Sequence, residues 1–393
     1  MFFSNSNNKQ ILHKIWKLQG LLPFYHDEKD NYRFSWAGLI LGLSYLVWSV
    51  PLCSWAFYED IKDNCKNSIK AVNKIMTVVS CCNLLSLFVA SMVSIVFASI
   101  QARNLSEISL MVHQVKKQLG NMKHWEKVDN NGLFLQAFYI ILFLMDFIFN
   151  RDTANYDCPT IVLSIIVFSV EIQVLALSVK IGLLFKTLNE RISRILSNES
   201  LFPTILPRIN VLEDRSTNFI NYCEIHWTLC RVIYLFNFSY GVQLLVILFM
   251  IFLRILSAPF FIIVILSQDY SIARLVKKVM LSVMWLIIDI TLFSLIIWPC
   301  ATATDQGTNT SGIICKYLSK DLPDNLKKQS EEFLLRLQHH KTNFLAYGII
   351  QINWPVLTNV FEKNSKVNFW HDYFFFFFFF FRSWVLFLHT LSY

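Results

Sequence analysis

Charged residues are scarce in this chain. They make up 16% of its 393 residues, against roughly 25% in ordinary soluble domains. Hydrophobic residues reach 55%, above the usual ~45–50%. A soluble core of this length would interleave apolar and polar residues at helical or strand spacing. Here the apolar residues are gathered into long blocks, which points to burial in a bilayer.

Motifs of catalysis are also missing. There is no GxSxG, HExxH, Walker loop or GxGxxG, so neither an enzyme nor a cofactor is expected. The nine cysteines include no CxxC pair, which argues against a zinc site and against a dense disulfide framework. His339 and His340 lie on a basic stretch without further ligands nearby in sequence, so a solvated helix face accounts for them. The opening MFFSNSNNKQILHKIW is polar and basic and lacks the apolar core of a cleavable signal, which leaves the first spanning helix as the targeting signal. The net charge is +8, but Lys and Arg sit between apolar blocks rather than beside stacking aromatics on one face, so nucleic acid is not an expected partner. Their placement orients the chain in lipid.

What is present is a series of membrane-length blocks. A helix crossing a core about 30 Å thick needs roughly 20 mostly apolar residues. Six segments meet that requirement, at 36–58, 75–100, 132–149, 159–185, 234–252 and 279–300. After Arg254 the apolar stretch ILSAPFFIIVILS is too short for another crossing and reads as an extended helix or an interfacial excursion. Lys and Arg concentrate in the N-terminal segment, the second and fourth inter-helix loops and the segment after the sixth helix. Positive loops stay inside, so residues 1–35 are expected in the cytoplasm, 36–302 in the six-helix membrane region, and 303–361 in a cytoplasmic loop. The sequons at Asn104, Asn198 and Asn309 then face the cytoplasm, and the one at Asn237 lies within the fifth segment; none would be glycosylated.

Ionisable residues inside spanning helices cost roughly 2.5–3.5 kcal/mol each, so they normally face the bundle interior, water or a partner. Asp146, Glu171, Lys180 and Asp289 are such residues, and Asn83, Gln173 and Gln243 add neutral hydrogen-bonding groups. In one reading some of them line an outward-opening pocket for a small ligand, with aromatics such as Trp285 as walls. In the other, Asp146 and Lys180 reach to the interfaces, while Glu171 and Asp289 satisfy one another or backbone groups. Cys65 and Cys158 fall in the first two external loops, where oxidising conditions permit a disulfide; two free thiols are the alternative.

From Asp324 the chain reads DNLKKQSEEFLLRLQHHKTNFLAYGIIQINWPVLTNVF. Leu326, Phe333, Leu334 and Leu337 recur at helical spacing between charges, the pattern of an amphipathic helix. Gly348 and the polar stretch from Gln351 to Asn353 then break it. This segment resembles the insect gustatory receptor family, in which such a helix leads through A-x-G and I-N/D positions, here Ala346-Tyr347-Gly348 and Ile352-Asn353, into a seventh helix. The resemblance implies an all-α polytopic membrane protein of seven helices with an internal N-terminus. It also implies a ligand-gated nonselective cation channel of four like or related subunits in the plasma membrane of sensory neurons, surrounded by lipid and opened by small-molecule tastants. Related odorant receptors share that plan. A G-protein-coupled receptor is an alternative, but Asp-Arg-Tyr after the third helix and Asn-Pro-x-x-Tyr in the last are missing. A secondary transporter is another, but glycine is sparse and no paired repeat is detectable.

The family's seventh helix closes with Thr-Tyr, five apolar residues and Gln-Phe; neither pair occurs in this chain. In their place come EKNSKVNFWHDY, eight phenylalanines and RSWVLFLHTLSY. A thymine-rich tract before a splice acceptor, read as repeated TTT codons, gives such a run, and Lys366-Val367-Asn368 fits a donor-like AAG-GTA-AAT. Residues 362–393 are therefore expected to be an aberrant tail in place of a pore helix, translated intron from about Lys366 onward, and the chain as written is expected to gate poorly or not at all. The alternative is a degenerate seventh helix, whose bulky rings would pack badly where small residues allow close helix approach.

Overall fold

The computed structural model describes residues 70–120, 125–149, 154–197, 208–267, 271–319, 322–339 and 342–355. Before these it describes residue 21, two short strands and scattered positions between 40 and 54, nearly all of them helical. Those strands, β1 (Phe24–His26) and β2 (Tyr32–Phe34), pair antiparallel. The expected first span, Cys65 and the whole of the 362–393 tail lie mostly or wholly outside the described residues.

Seven helices follow among the described residues: α1 (Lys70–Ile100), α2 (Ala102–Leu119), α3 (Trp125–Phe149), α4 (Ala154–Leu196), α5 (Arg208–Leu266), α6 (Ile272–Leu318) and α7 (Asp324–His339). Five of them, α1 and α3 to α6, contain stretches long and apolar enough to cross a membrane. With α4 at 43 residues, α5 at 59 and α6 at 47, a rise of 1.5 Å per residue makes them roughly 65, 88 and 70 Å long. A hydrocarbon core is about 30 Å thick, so each of the three extends well beyond it.

The extensions are helical because their side chains keep a buried stripe after the lipid-facing apolarity ends. In α4 the stripe is Leu188, Ile192 and Leu196, with Glu190, Arg191 and Arg194 turned to solvent. In α5 it is Phe219, His226, Leu229 and Ile233, and in α6 Ala303, Thr310, Ile314 and Tyr317. These stripes face one another: α4 packs most extensively on α6, and α5 on α1, α6 and α2.

One region read as a loop is helical, and a second, read as an extended helix or an interfacial excursion, is resolved as helix. After a turn at Gln101, whose N–H still bonds Phe97 O at 2.8 Å, α2 buries Ala102, Leu105, Ile108, Val112 and Val115. That spacing of three and four residues is an amphipathic helix, not a span. The stretch after Arg254 stays helical through Pro259 to Leu266, the extended-helix alternative rather than an interfacial excursion.

α7 buries Leu326 and Phe333, with Phe333 edge-on to Phe219 and Trp227 of α5. After it, β3 (Leu345–Ala346) and β4 (Ile350–Gln351) pair antiparallel. Tyr347 and Gly348 both have positive φ, at 52° and 70°, and the Ile349 N–H bonds Ala346 O at 3.1 Å. Two consecutive positive φ values mark a type I′ turn, which favours glycine and matches the twist of a hairpin. The A-x-G sequence is thus the tip of a tight hairpin.

Candidate functional site

Four helices converge on one buried polar cluster. The guanidinium of Arg254 in α5 lies 3.2 Å from Asp289 Oδ1 in α6, an ion pair whose side chains are 20% and 4% exposed. The oxygen lacks the alignment of a hydrogen bond, since Asp289 Oδ1 has no hydrogen-bond partner among the described residues. Tyr139 of α3 and Glu171 of α4 stand within electrostatic reach of both charges. Glu171 is 5% exposed, and its Oε2 has no partner among the described residues.

Aromatic rings cover this cluster continuously. Phe168 stacks on Tyr139 with centroids 3.7 Å apart, Tyr139 meets Phe143 at 4.8 Å, and Phe143 meets Trp285 at 4.8 Å. Arg254 in turn lies 5.9 Å from the centroid of the Trp285 ring, within the distance of a cation–π contact. Low dielectric strengthens such contacts and makes any unpaired polar atom costly.

Of the residues singled out from the sequence, Glu171, Trp285 and Asp289 meet here. Glu171 and Asp289 do not satisfy one another; Asp289 takes Arg254. The other polar residues tie helix pairs elsewhere. Asn83 donates to Ser257 Oγ at 2.8 Å, joining α1 to α5. Gln173 accepts from the Tyr240 hydroxyl at 3.3 Å, joining α4 to α5. Gln243 donates to Ser94 O at 3.1 Å, again joining α5 to α1. Gln173 Nε2 and Gln243 Oε1 remain without partners among the described residues. Asp146 lies in α3, but its side chain is outside the described set, as is that of Cys158 in α4. Lys180 does not simply reach into solvent: it donates to Asp129 Oδ1 at 2.5 Å, and its ammonium lies 5.3 Å from the Trp125 ring centroid.

Sequence reasoning missed Arg254 and Tyr139. A charge directly after an apolar block reads as the end of a span, and a tyrosine among apolar residues reads as a wall. The signal for Arg254 was the resumption of apolarity behind it.

Near the middle of α5, the hairpin docks on two small polar features. Asn237 Nδ2 donates to Asn343 O at 2.8 Å, and its Oδ1 accepts from Leu345 N–H at 2.9 Å. The side-chain amide therefore acts as one more strand for β3. One turn on, Gly241 leaves room for the backbone, since a Cβ there would sit 2.9 Å from Tyr347 N. Phe344 fills the space beneath, edge-on to Phe236 with centroids 5.0 Å apart.

The sequence pattern described as "7tm Chemosensory receptor" matches residues 10–361. The chain belongs to the 7tm chemosensory receptor family. The match stops before the phenylalanine run. This receptor also has the fold of the insect olfactory receptor OR5 from Machilis hrabei, at 13% identity, with 90% of this chain and 94% of that one covered and a TM-score of 0.62. Against the same olfactory receptor in complex with eugenol, the values are 14%, 90%, 95% and 0.63. Curated protein sequences gave no match. The fold is therefore the seven-helix, multi-pass membrane architecture of insect chemoreceptors.

Proposed function

We propose that this chemoreceptor is a subunit of a ligand-gated, nonselective cation channel of the gustatory type. It acts in the plasma membrane of sensory neurons, as a homo- or heterotetramer, with its N-terminus and residues 303–361 in the cytoplasm. A small tastant binds at the Tyr139–Glu171–Arg254–Asp289 cluster, with Trp285 and its neighbouring rings as walls. Binding opens the pore by favouring one of two states through differential affinity.

The observation that carries this reading is the incompletely satisfied cluster itself. Three ionisable groups within apolar helices cost roughly 2.5–3.5 kcal/mol each, and here Glu171 Oε2 and Asp289 Oδ1 both lack a hydrogen-bond partner among the described residues. A structural ion pair needs Arg254 and Asp289 only. The solved olfactory receptor with eugenol supports small-molecule binding, and the Ala346-Tyr347-Gly348 and Ile352-Asn353 positions support the gustatory assignment over an odorant receptor.

The residues after about Lys366 are, in this reading, translated intron, and the tail 362–393 stands where the pore helix belongs. The test is to record ligand-evoked currents from cells expressing the chain as written and with a seventh helix restored. Currents are expected from the restored form and lost on Trp285→Ala. Currents from the chain as written would refute the reading of its C-terminus, and long-read transcripts that uniformly retain the phenylalanine codons would do the same. Silence of the restored form at the membrane surface, across a broad tastant panel, would refute the channel assignment.

A further inference from the structure

The charges of the cluster do not balance. Arg254 supplies one positive group, whereas Asp289 and Glu171 supply two carboxyls. The guanidinium is engaged by Asp289 at 3.2 Å, which leaves the buried Glu171 Oε2 without a hydrogen-bond partner among the described residues. Either protonation state of that carboxyl is costly there: ionised, it lacks a counter-cation; neutral, its hydroxyl lacks an acceptor. A ligand group that donates hydrogen bonds and carries positive charge satisfies the ionised form, giving it both a counter-cation and a donor.

An anionic ligand group meets the opposite circumstances. The cation of the cluster is already paired, and an added carboxylate would face two others. The Trp285 ring already holds a cation, Arg254 at 5.9 Å from its centroid, and such π faces attract cations and not anions.

Building on the reading of this cluster as the ligand site, we propose that Glu171 anchors ligands bearing a protonated amine on an apolar body. The ammonium donates to Glu171 Oε2, and the body lies against the aromatic wall.

The test uses the full chain purified in lipid nanodiscs and follows its thermal unfolding with matched probes: phenethylamine against 2-phenylethanol, and tryptamine against tryptophol. Each amine is expected to stabilise the protein at about ten- to a hundredfold lower concentration than its alcohol, the advantage of a charge-assisted hydrogen bond. Glu171→Gln is expected to erase that advantage, bringing each amine and its alcohol to similar effective concentrations. Should Glu171→Gln fail to fold, Glu171→Asp, which withdraws the carboxylate by one methylene, is expected to reduce the advantage in the same direction.

Amines and alcohols acting equally, or an amine preference that survives both Glu171 variants, would overturn the proposal while leaving the ligand site standing, provided that Trp285→Ala weakens both probe classes. If neither class stabilises the protein up to its solubility limit, the assignment of the cluster as ligand site falls, and the proposal with it.

Discussion

Replacing Asn237 with alanine tests whether the hairpin is held by one side chain. The amide makes two bonds to backbone groups of the hairpin, at 2.8 and 2.9 Å, and both are partly buried. Asn237→Ala leaves the Asn343 carbonyl and the Leu345 N–H without those partners. Each group stranded in this way costs about 1–3 kcal/mol, so hairpin docking loses roughly 2–4 kcal/mol after partial rehydration. At 1.4 kcal/mol per tenfold, that is about a thirtyfold to several-hundredfold rise in the open fraction. Hydrogen exchange of residues 342–352 in nanodisc-embedded protein reads it directly, because the amides of Leu345 and Ile352 are protected by bonds to Asn237 and Phe344. Asn237→Asp is expected to do no better than alanine: it keeps an acceptor for Leu345 but sets an oxygen against the Asn343 carbonyl. Unchanged exchange across the hairpin in Asn237→Ala would refute the clamp.

Lys180→Met strands Asp129, whose side chain is 10% exposed beside the ammonium, and is expected to cost about 3–5 kcal/mol; pairing it with Asp129→Leu should recover most of that, and equal melting temperatures for the single and double variants would sink the argument. Gly307→Ala sets a methyl 2.8 Å from Thr342 Oγ1, an overpacking of about 1–3 kcal/mol, which Thr342→Ala should partly relieve in the same thermal assay. Endoglycosidase is expected to leave the mobility of the full-length protein unchanged. Asn104 and Asn309 lie within α2 and α6, not in the surface loops where acceptors are modified. A shift abolished by Asn104→Gln would reverse the proposed orientation.

Much of the membrane architecture was legible because lipid burial writes itself as apolar blocks. The blocks at 75–100, 132–149, 159–185, 234–252 and 279–300 fall within α1, α3, α4, α5 and α6. What hydropathy does not register is a helix that leaves the membrane and continues. Beyond Phe185 only every third or fourth residue of α4 is buried, so average apolarity drops while helicity persists. The same blindness turned α2 into a loop, although its period was present in Leu105, Ile108, Val112 and Val115. The site was legible in part. Buried polar residues within apolar blocks stood out individually, but their grouping depends on helix rotation and on pairing between segments far apart in sequence. Glu171 and Asp289 share a cluster whereas Gln173, two residues along α4, faces Tyr240 instead, since a step of two on a helix turns to nearly the opposite face.

The position of Arg254 also links the buried cluster to the hairpin through α5. Asn237 and Arg254 are 17 residues apart on one uninterrupted helix, about 25 Å at 1.5 Å per residue. The same rod therefore holds the hairpin that precedes the expected seventh helix and the cation of the buried cluster. These two contact points on α5 tolerate displacement differently. At Arg254 the ion pair is held at 3.2 Å without hydrogen-bond alignment, and a long side chain can follow small shifts of its helix. At Gly241 the contact is backbone against backbone: even a single methyl in place of its hydrogen would come within 2.9 Å of Tyr347 N, so the helix cannot approach the hairpin further without moving it. A shift of α5 that the cluster absorbs by side-chain adjustment must consequently reach the hairpin as a rigid displacement. The fold thus places its adaptable contacts at the buried charges and its unyielding ones beside the hairpin that precedes the expected seventh helix.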